Sequence, residues 1–423
     1  MKNLSVLFLV MCFSAAAFAQ TMPADADPKL WQRALALHKK SIVIDGHNDI
    51  TGPMVDMDFN LGDDSLGRMQ SGGDPMHTDI SRWKKGGMTG EFMSIYVSGS
   101  TMQTGGAMRR AMDLIDATYR EAERHPQDLS MCTTAEQIRQ AKKQNKICML
   151  MGIEGGYAIE NSLYALRDFY RLGIRYMTLT HNVATDWADA HRDIKHNGLT
   201  DFGKEVVREM NRLGMLVDIS HVSEKVMMDV LDTTKAPIIA SHSGARAVND
   251  HTRNVPDAVL KRLPQNGGVI MVVFYPSFLD ERTNREENER SAKLRDQVAK
   301  LREQYKDDRA GLNKAIAELE AANPIYIADY KRIVDHIDHI KKVAGIDHVG
   351  LSSDYDGVPF LPTPMKGVED LPLVTYEMLR RGYTEAEVRK VLGENFLRAF
   401  AQAERVAGNR KISAGGSLMK FKK

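Results

Sequence analysis

Imidazoles and carboxylates follow short apolar runs at six places in the sequence: Asp45, His47 and Asp49 in SIVIDGHNDI, Glu154 in GIEGG, His181 in LTHN, His221 in DISHVS, His242 in ASHSGAR, and Asp354 with Asp356 in SSDYDG. One His after an apolar run is usually a hydrogen-bonded structural residue, but six recurrences describe a shared site. Residues two apart in an extended chain point the same way. His47 and Asp49 can therefore grip one ion, with Asp45 lying deeper or supporting a ligand. Three imidazoles and two carboxylates without a thiolate make a nitrogen and oxygen site that suits Zn²⁺ best, with Mn²⁺, Co²⁺ or Fe²⁺ as alternatives. Five ligands exceed what one tetrahedral zinc needs if water keeps a place. A bridging carboxylate such as Glu154 would divide the set between two ions roughly 3.5–4 Å apart, an arrangement that holds hydroxide at neutral pH and polarises a carbonyl. The chemistry indicated is hydrolysis.

Such residues must be brought together by the elements before them. Eight β-branched or apolar runs are predicted as strands: 41–45, 91–97, 147–153, 175–180, 215–220, 237–242, 268–275 and 348–354. Between most of them lie stretches of helical period, such as SLYALRDFYRLG and TDFGKEVVREMNRLG, several closed by Gly. Eight strand–helix units predict an α/β fold, a (β/α)₈ barrel whose strands deliver their C-terminal ends to one face. An open doubly wound sheet is the alternative, but no Gly-rich phosphate turn follows the first strand. Residues 51–90 read as a long loop forming a rim or lid over the mouth. Residues 280–345 read as a charged helical excursion before the eighth strand. Leu294, Val298, Leu301 and Tyr305 share one of its faces, which would pack on the barrel or pair two subunits into a homodimer.

The first nineteen residues, one Lys followed by an apolar run and a small-residue ending at Ala17 and Ala19, read as a secretory signal. Cleavage there leaves 20–423 as one barrel, exported to a periplasm or secreted. Losing Lys2 makes the balance of 57 basic and 56 acidic side chains even, which gives no reason to expect nucleic acid. No later segment is apolar enough to span a bilayer, and the basic tail KISAGGSLMKFKK is no lipid-anchor signal. Cys132 and Cys148 flank a short polar helix and can pair in an oxidising compartment or remain buried thiols.

The motifs IDGHND, GIEGG, LTHN, DISHVS, SHSGARAVNDHTRNVPD, DHIDHIKKVAGIDHVGLSSDYDG and GENFLRAF, in this order, resemble the membrane dipeptidase (renal dipeptidase) family of binuclear zinc peptidases, peptidase family M19, a branch of the amidohydrolase-like barrels. The resemblance runs from about Ile42 to about Phe400. It implies two Zn²⁺ per chain, with His47 and Asp49 on one ion, His221 and His242 on the other, and Glu154 bridging. It further implies that His181 contacts the substrate carbonyl and that Arg253 pairs with the substrate carboxylate. Tyr275 would face the substrate, and Asp354 would be the acid/base carboxylate with Asp356 its neighbour. The expected activity is hydrolysis of free dipeptides by a metal-bridging hydroxide, tolerating a D-residue at the C-terminal position. Ser352 stands where the family often has Gly. Other amidohydrolases acting on N-acyl amino acids or lactones are the alternative, but they often bridge their metals with a carboxylated Lys, and no Lys ends a strand here. A non-catalytic exported metal-binding barrel is a further alternative. Among other residues, His77 is expected at the rim, His336 and His339 on a helix outside the barrel, His251 beside Arg253 to orient it, and Asp218 as a hydrogen-bond acceptor.

Overall fold

The computed structural model describes residues 22–408 and 411–422; the expected signal segment 1–19 lies outside them. Its sheet holds β1 (Ile44–Asn48), β2 (Gly90–Tyr96), β3 (Leu129–Met131), β4 (Ile147–Glu154), β5 (Ile174–Thr178), β6 (Leu216–Asp218), β7 (Ile238–Ser243), β8 (Val269–Val272) and β9 (Val349–Leu351). Eight of these run parallel in the order β1-β2-β4-β5-β6-β7-β8-β9, a nearly closed α/β barrel. The short β3, absent from the sequence reading, lies off this path and pairs only with β4. Its three residues are too few to show alternation, so nothing in LSM separates it from a loop.

The ring closes through a narrow seam rather than a ladder. Asn48 bridges Tyr355, Asp49 N–H donates to Tyr355 C=O at 2.9 Å and Asp354 N–H to His47 C=O at 3.2 Å. The Asp45 carboxylate adds to this, accepting from Ser353 N–H at 2.7 Å and from the Ser353 hydroxyl.

The helices begin and end where the sequence supplies caps. Thr200 accepts from Gly203 N–H at the start of Asp201–Leu213, and Gly214, at φ 84°, ends it in the left-handed conformation that a residue without Cβ adopts freely. Ser223 caps Glu224–Thr233 and Asp280 caps Glu281–Gln304 in the same way. Inside the barrel, Phe92, Leu150, Tyr176, Leu216, Ile239 and Met271 cluster with Phe396 and Phe400 of the C-terminal helix Asn395–Ala407. Burying each such side chain contributes roughly 1.5–3 kcal/mol, and together they make the floor on which the site rests.

Several boundaries move. β1 begins at Ile44 and runs through His47, not 41–45, with a register shift between Asp45 and Asn48. β9 stops at Leu351, and Asp354 and Asp356 lie beyond it at φ 61° and 60°. The 51–90 stretch is a rim as expected but carries two short helices, Thr51–Asp56 and Ile80–Lys85. The excursion resolves into Glu281–Gln304, Arg309–Ala321 and Lys331–Ala344. On its apolar face only Leu294 is buried, while Val298, Leu301 and Tyr305 are half-buried. The Glu281–Gln304 and Arg309–Ala321 helices meet through Arg290–Glu320, and Arg309 and Asn313 reach Ser71 of the rim. The excursion thus packs on its own chain.

Candidate metal centre and active site

All five predicted ligands converge. The Nε2 atoms of His221, His47 and His242 lie 3.0, 3.3 and 3.4 Å from the Glu154 carboxylate, and Asp49 lies 3.3 Å from His47 Nε2. Potential ligand atoms gather within 4.8 Å in three triads: His47–Glu154–His242, Glu154–His181–His221 and His47–Asp49–Asp354. Glu154 belongs to two of them, as a bridging carboxylate must, while His181 and Asp354, predicted for substrate and proton, also come within ligand range.

The hydrogen bonds on the far side of each ring fix what its Nε2 can do. Tyr176 OH donates to Gly46 C=O at 3.1 Å and accepts from His47 Nδ1–H at 2.8 Å. Ser241 Oγ donates to Asp218 at 2.6 Å, so it accepts from His242 Nδ1–H at 2.8 Å. The Asn182 carbonyl accepts from His221 Nδ1–H at 3.2 Å. With each proton on Nδ1, all three Nε2 atoms present bare lone pairs. They point at a carboxylate and at one another: His221 and His242 Nε2 are 2.9 Å apart, and His47 Nε2 is buried with no hydrogen-bond partner among the described residues. Acceptors facing acceptors are repulsive unless a cation lies between them, so these residues fit a divalent metal centre.

The electrostatics agree. Burial, with Arg253 and His181 nearby, drives the pKa of His221 well below the usual imidazole value; burial and His47 do the same to His242. Burial opposes a charge on His47 too, yet Tyr176, Glu154 and Asp49 push its pKa well above the usual value. The same negative surround that would otherwise draw a second proton to His47 Nε2 favours a metal ion at that position. Burial would raise Glu154, but His47, His181, His221 and His242 hold it well below the usual carboxylate range.

Asp354 sits at the seam with its carboxyl lifted to about 7 by burial, helped by Asp49 and Glu154 and opposed by His47 and Arg253. Its left-handed backbone, shared by Asp356 and by His221 at φ 64°, is strain of the kind that concentrates at functional sites. Gly357 makes this turn possible, because a Cβ there would strike Asp49 Oδ2 and Asp354 Oδ1.

Arg253 is buried beneath the same cavity. It donates weakly to His242 C=O at 3.2 Å and Ser243 Oγ at 3.4 Å, lies 5.2 Å from the Phe278 ring, and leaves Nε without a partner. No carboxylate among the described residues comes within ion-pair distance of it. Burial lowers its pKa only to about 10, so it remains a cation. His181 lies 4.0 Å from Glu154 with its ring against Tyr96, and Tyr275 lines the wall with its hydroxyl on Glu287 at 2.5 Å. Asp49, Glu154, His181, His221, Arg253, Tyr275 and Asp354 all line one cavity of about 830 Å³.

Three orienting residues, Tyr176, Asn182 and Ser241, escaped the sequence reading of roles. Asn182 and Ser241 adjoin predicted site histidines, which was a usable signal; Tyr176 is far from His47 in sequence and gave none. Asp218 is the acceptor expected, bound by Ser220 N–H, Ser241 N–H and Ser241 Oγ. His251 accepts from Arg253 N–H at 3.2 Å, and His336 and His339 bond to Leu279 and Asp257 away from the site. His77 lies in the 51–90 rim as expected but is buried there, its Nδ1 accepting from Asp356 N–H while its backbone N–H donates to Asp356 Oδ1.

Known proteins place this geometry. The probable dipeptidase PvdM from Pseudomonas aeruginosa superposes with a TM-score of 0.75 at 25% identity, covering 90% of this chain and 100% of that one. A metallo peptidase from Rhodobacter sphaeroides, liganded with a phosphinate mimic of the dipeptide L-Ala-D-Ala, gives 0.67 at 25% identity over 86% and 100%. The sequence profile of the membrane dipeptidase family matches residues 31–414. The chain therefore belongs to the membrane dipeptidase family, peptidase family M19, and is a hydrolase of the metallo-dipeptidase kind.

Proposed function

We propose that this chain is an exported two-zinc dipeptidase that hydrolyses the peptide bond of free dipeptides and accepts a D-residue at the C-terminal position. The observation that carries the reading is the pairing of three bare Nε2 atoms around Glu154 with a buried, unpaired Arg253 in one cavity. His47 and Asp49 would hold one ion and His221 and His242 the other, with Glu154 between them. Bound there, the metals supply a hydroxide nucleophile at neutral pH and polarise the scissile carbonyl.

The chain's own residues do the rest. Arg253 takes the substrate's free carboxylate in its planar guanidinium, the buried cation gaining the counter-charge it lacks. His181 steadies negative charge developing on the carbonyl oxygen, and Tyr275 forms the wall beside the departing residue. Asp354, a buried carboxylate lining the same cavity, would take the proton of the nucleophilic water and pass it to the leaving amine. The Rhodobacter relative's phosphinate ligand supports tolerance of a D-residue. The Cys132–Cys148 disulfide, with Cα atoms 5.6 Å apart, supports an oxidising destination in a periplasm or outside the cell.

The test is hydrolysis of L-L and L-D dipeptides, with tripeptide and N-acyl amino acid controls, by the zinc-loaded mature protein with and without chelator. Chelator-sensitive cleavage confined to dipeptides is expected. Cleavage of N-acyl amino acids but no dipeptide would move the protein to the wider amidohydrolases.

A further inference from the structure

Four residues of the Glu281–Gln304 helix, Asn284, Glu287, Asn288 and Ser291, line the active-site cavity. Their spacing of i, i+3, i+4 and i+7 puts them on one face, so the excursion turns a wholly polar stripe toward the substrate. Glu287 is the only charged member. Its two oxygens accept from Tyr275 OH at 2.5 Å and from Ser277 Oγ, and those two residues also line the cavity. No Lys, Arg or His among the described residues lies within ion-pair distance of it, whereas its neighbours Glu286 and Arg290 are paired with Arg282 and Glu320. A carboxylate offers about four acceptor positions, and hydroxyls occupy two of these. The remaining capacity is oriented, half-buried and uncompensated.

Its place in the cavity says which part of a substrate it meets. The Tyr275 ring packs at 4.8 Å against Phe278, over which Arg253 lies. Glu287 therefore belongs to the arc that holds the substrate carboxylate, beside the C-terminal residue. Resting on the dipeptidase reading above, we infer that Glu287 selects dipeptides whose C-terminal residue carries a cationic side chain, of the lysine, ornithine or arginine type. The rival charge is Arg192, which lines the same cavity, is exposed, and bonds to Thr252 Oγ1 and His251, each at 3.3 Å; it would favour an acidic C-terminal residue instead.

The experiment compares kcat/KM for Ala-Lys, Ala-norleucine and Ala-Asp, with the second residue in L and D forms, in zinc-loaded wild type, Glu287→Gln, Glu287→Lys and Arg192→Gln. Wild type should prefer Ala-Lys to Ala-norleucine. That ratio should fall on the order of tenfold in Glu287→Gln, the size expected for one partly exposed charge-assisted hydrogen bond, and shift toward Ala-Asp in Glu287→Lys. An unchanged ratio, or an equal loss on Ala-Lys and Ala-norleucine that would assign Glu287 to the α-ammonium, overturns the inference. So does a wild-type preference for Ala-Asp that Arg192→Gln abolishes. Turnover of Ala-norleucine by wild type separates the two levels, since its failure together with Ala-Lys and Ala-Asp refutes the dipeptidase reading itself.

Discussion

Tyr176→Phe removes one oxygen that touches no substrate, yet it should strip metal from half of the centre. The hydroxyl is fully buried and holds His47 Nδ1–H at 2.8 Å and Gly46 C=O at 3.1 Å. Without it His47 loses the partner that keeps its proton on Nδ1, and the tautomer with the proton on Nε2, useless to a metal, becomes accessible. Loss of such a supporting partner typically costs 10–100-fold in metal affinity, equivalent to about 1.4–2.7 kcal/mol, which matches the cost of leaving one or two buried polar groups unpaired. The ring itself stays, so its packing against Phe92 at 4.9 Å and the barrel floor should survive. Wild type and variant, loaded with zinc and dialysed against graded chelator, would be analysed for metal per chain. On the proposed two-ion reading, the variant should release the ion assigned to His47 and Asp49 at about 10–100-fold lower chelator strength and retain the one assigned to His221 and His242. Identical release curves would refute the tautomer argument, and loss of both ions together would show that the two sites are not separately supported.

Asp354→Asn should lower kcat by about 10²–10⁴-fold, the range for removal of a general acid, with zinc content unchanged; loss of zinc would instead make Asp354 a ligand. Arg253→Leu should cost about 2–5 kcal/mol in kcat/KM for free dipeptides, the usual cost of truncating one partner of a buried charge pair, and an unaltered value would remove Arg253 from substrate binding. His38 and His336 are buried and burial holds both near a pKa of about 4, so the unfolded chain binds more protons between about 4 and the unfolded value of about 6.5. Their stabilisation is complete above that value and lost as pH falls toward about 4, up to about 3 kcal/mol each; urea midpoints at pH 7.5 and 5 should show the drop, and His38→Gln should flatten it. Replacing Cys132 and Cys148 by Ser opens a loop closed across 16 residues and should lower stability by about 3 kcal/mol, read from denaturation midpoints against an oxidised control.

The barrel was legible because each strand carries its own local signature, and the metal ligands because they follow those strands directly. The seven motifs contain every candidate ligand. What escaped was relational. Asp45 lies in phase with His47, yet its carboxylate is taken by Ser353, a residue no periodicity connects to it. His77 mimics a ligand pair in sequence but is consumed by Asp356, 279 residues away. The apolar stripe of the excursion was visible, while the polar stripe of the same helix that reaches the cavity was not, since solvated and site-facing polar residues look alike without a partner to face.

The seam between the first and last strands has a consequence for how the enzyme comes into being. Asp45 and Ser353 are 308 residues apart, and the same closure sets His47 and Asp49 beside Asp354. Long-range pairing of this kind is intrinsically slow, because the chain entropy must be lost before the contacts form. A nascent chain can form every earlier strand and carry all five proposed ligands, yet have no closed cylinder and no Asp354 beside them. On the proposed role of Asp354, a chain interrupted before residue 349 would bind metal but lack both the closed cylinder and the floor of Phe396 and Phe400, and would be inert.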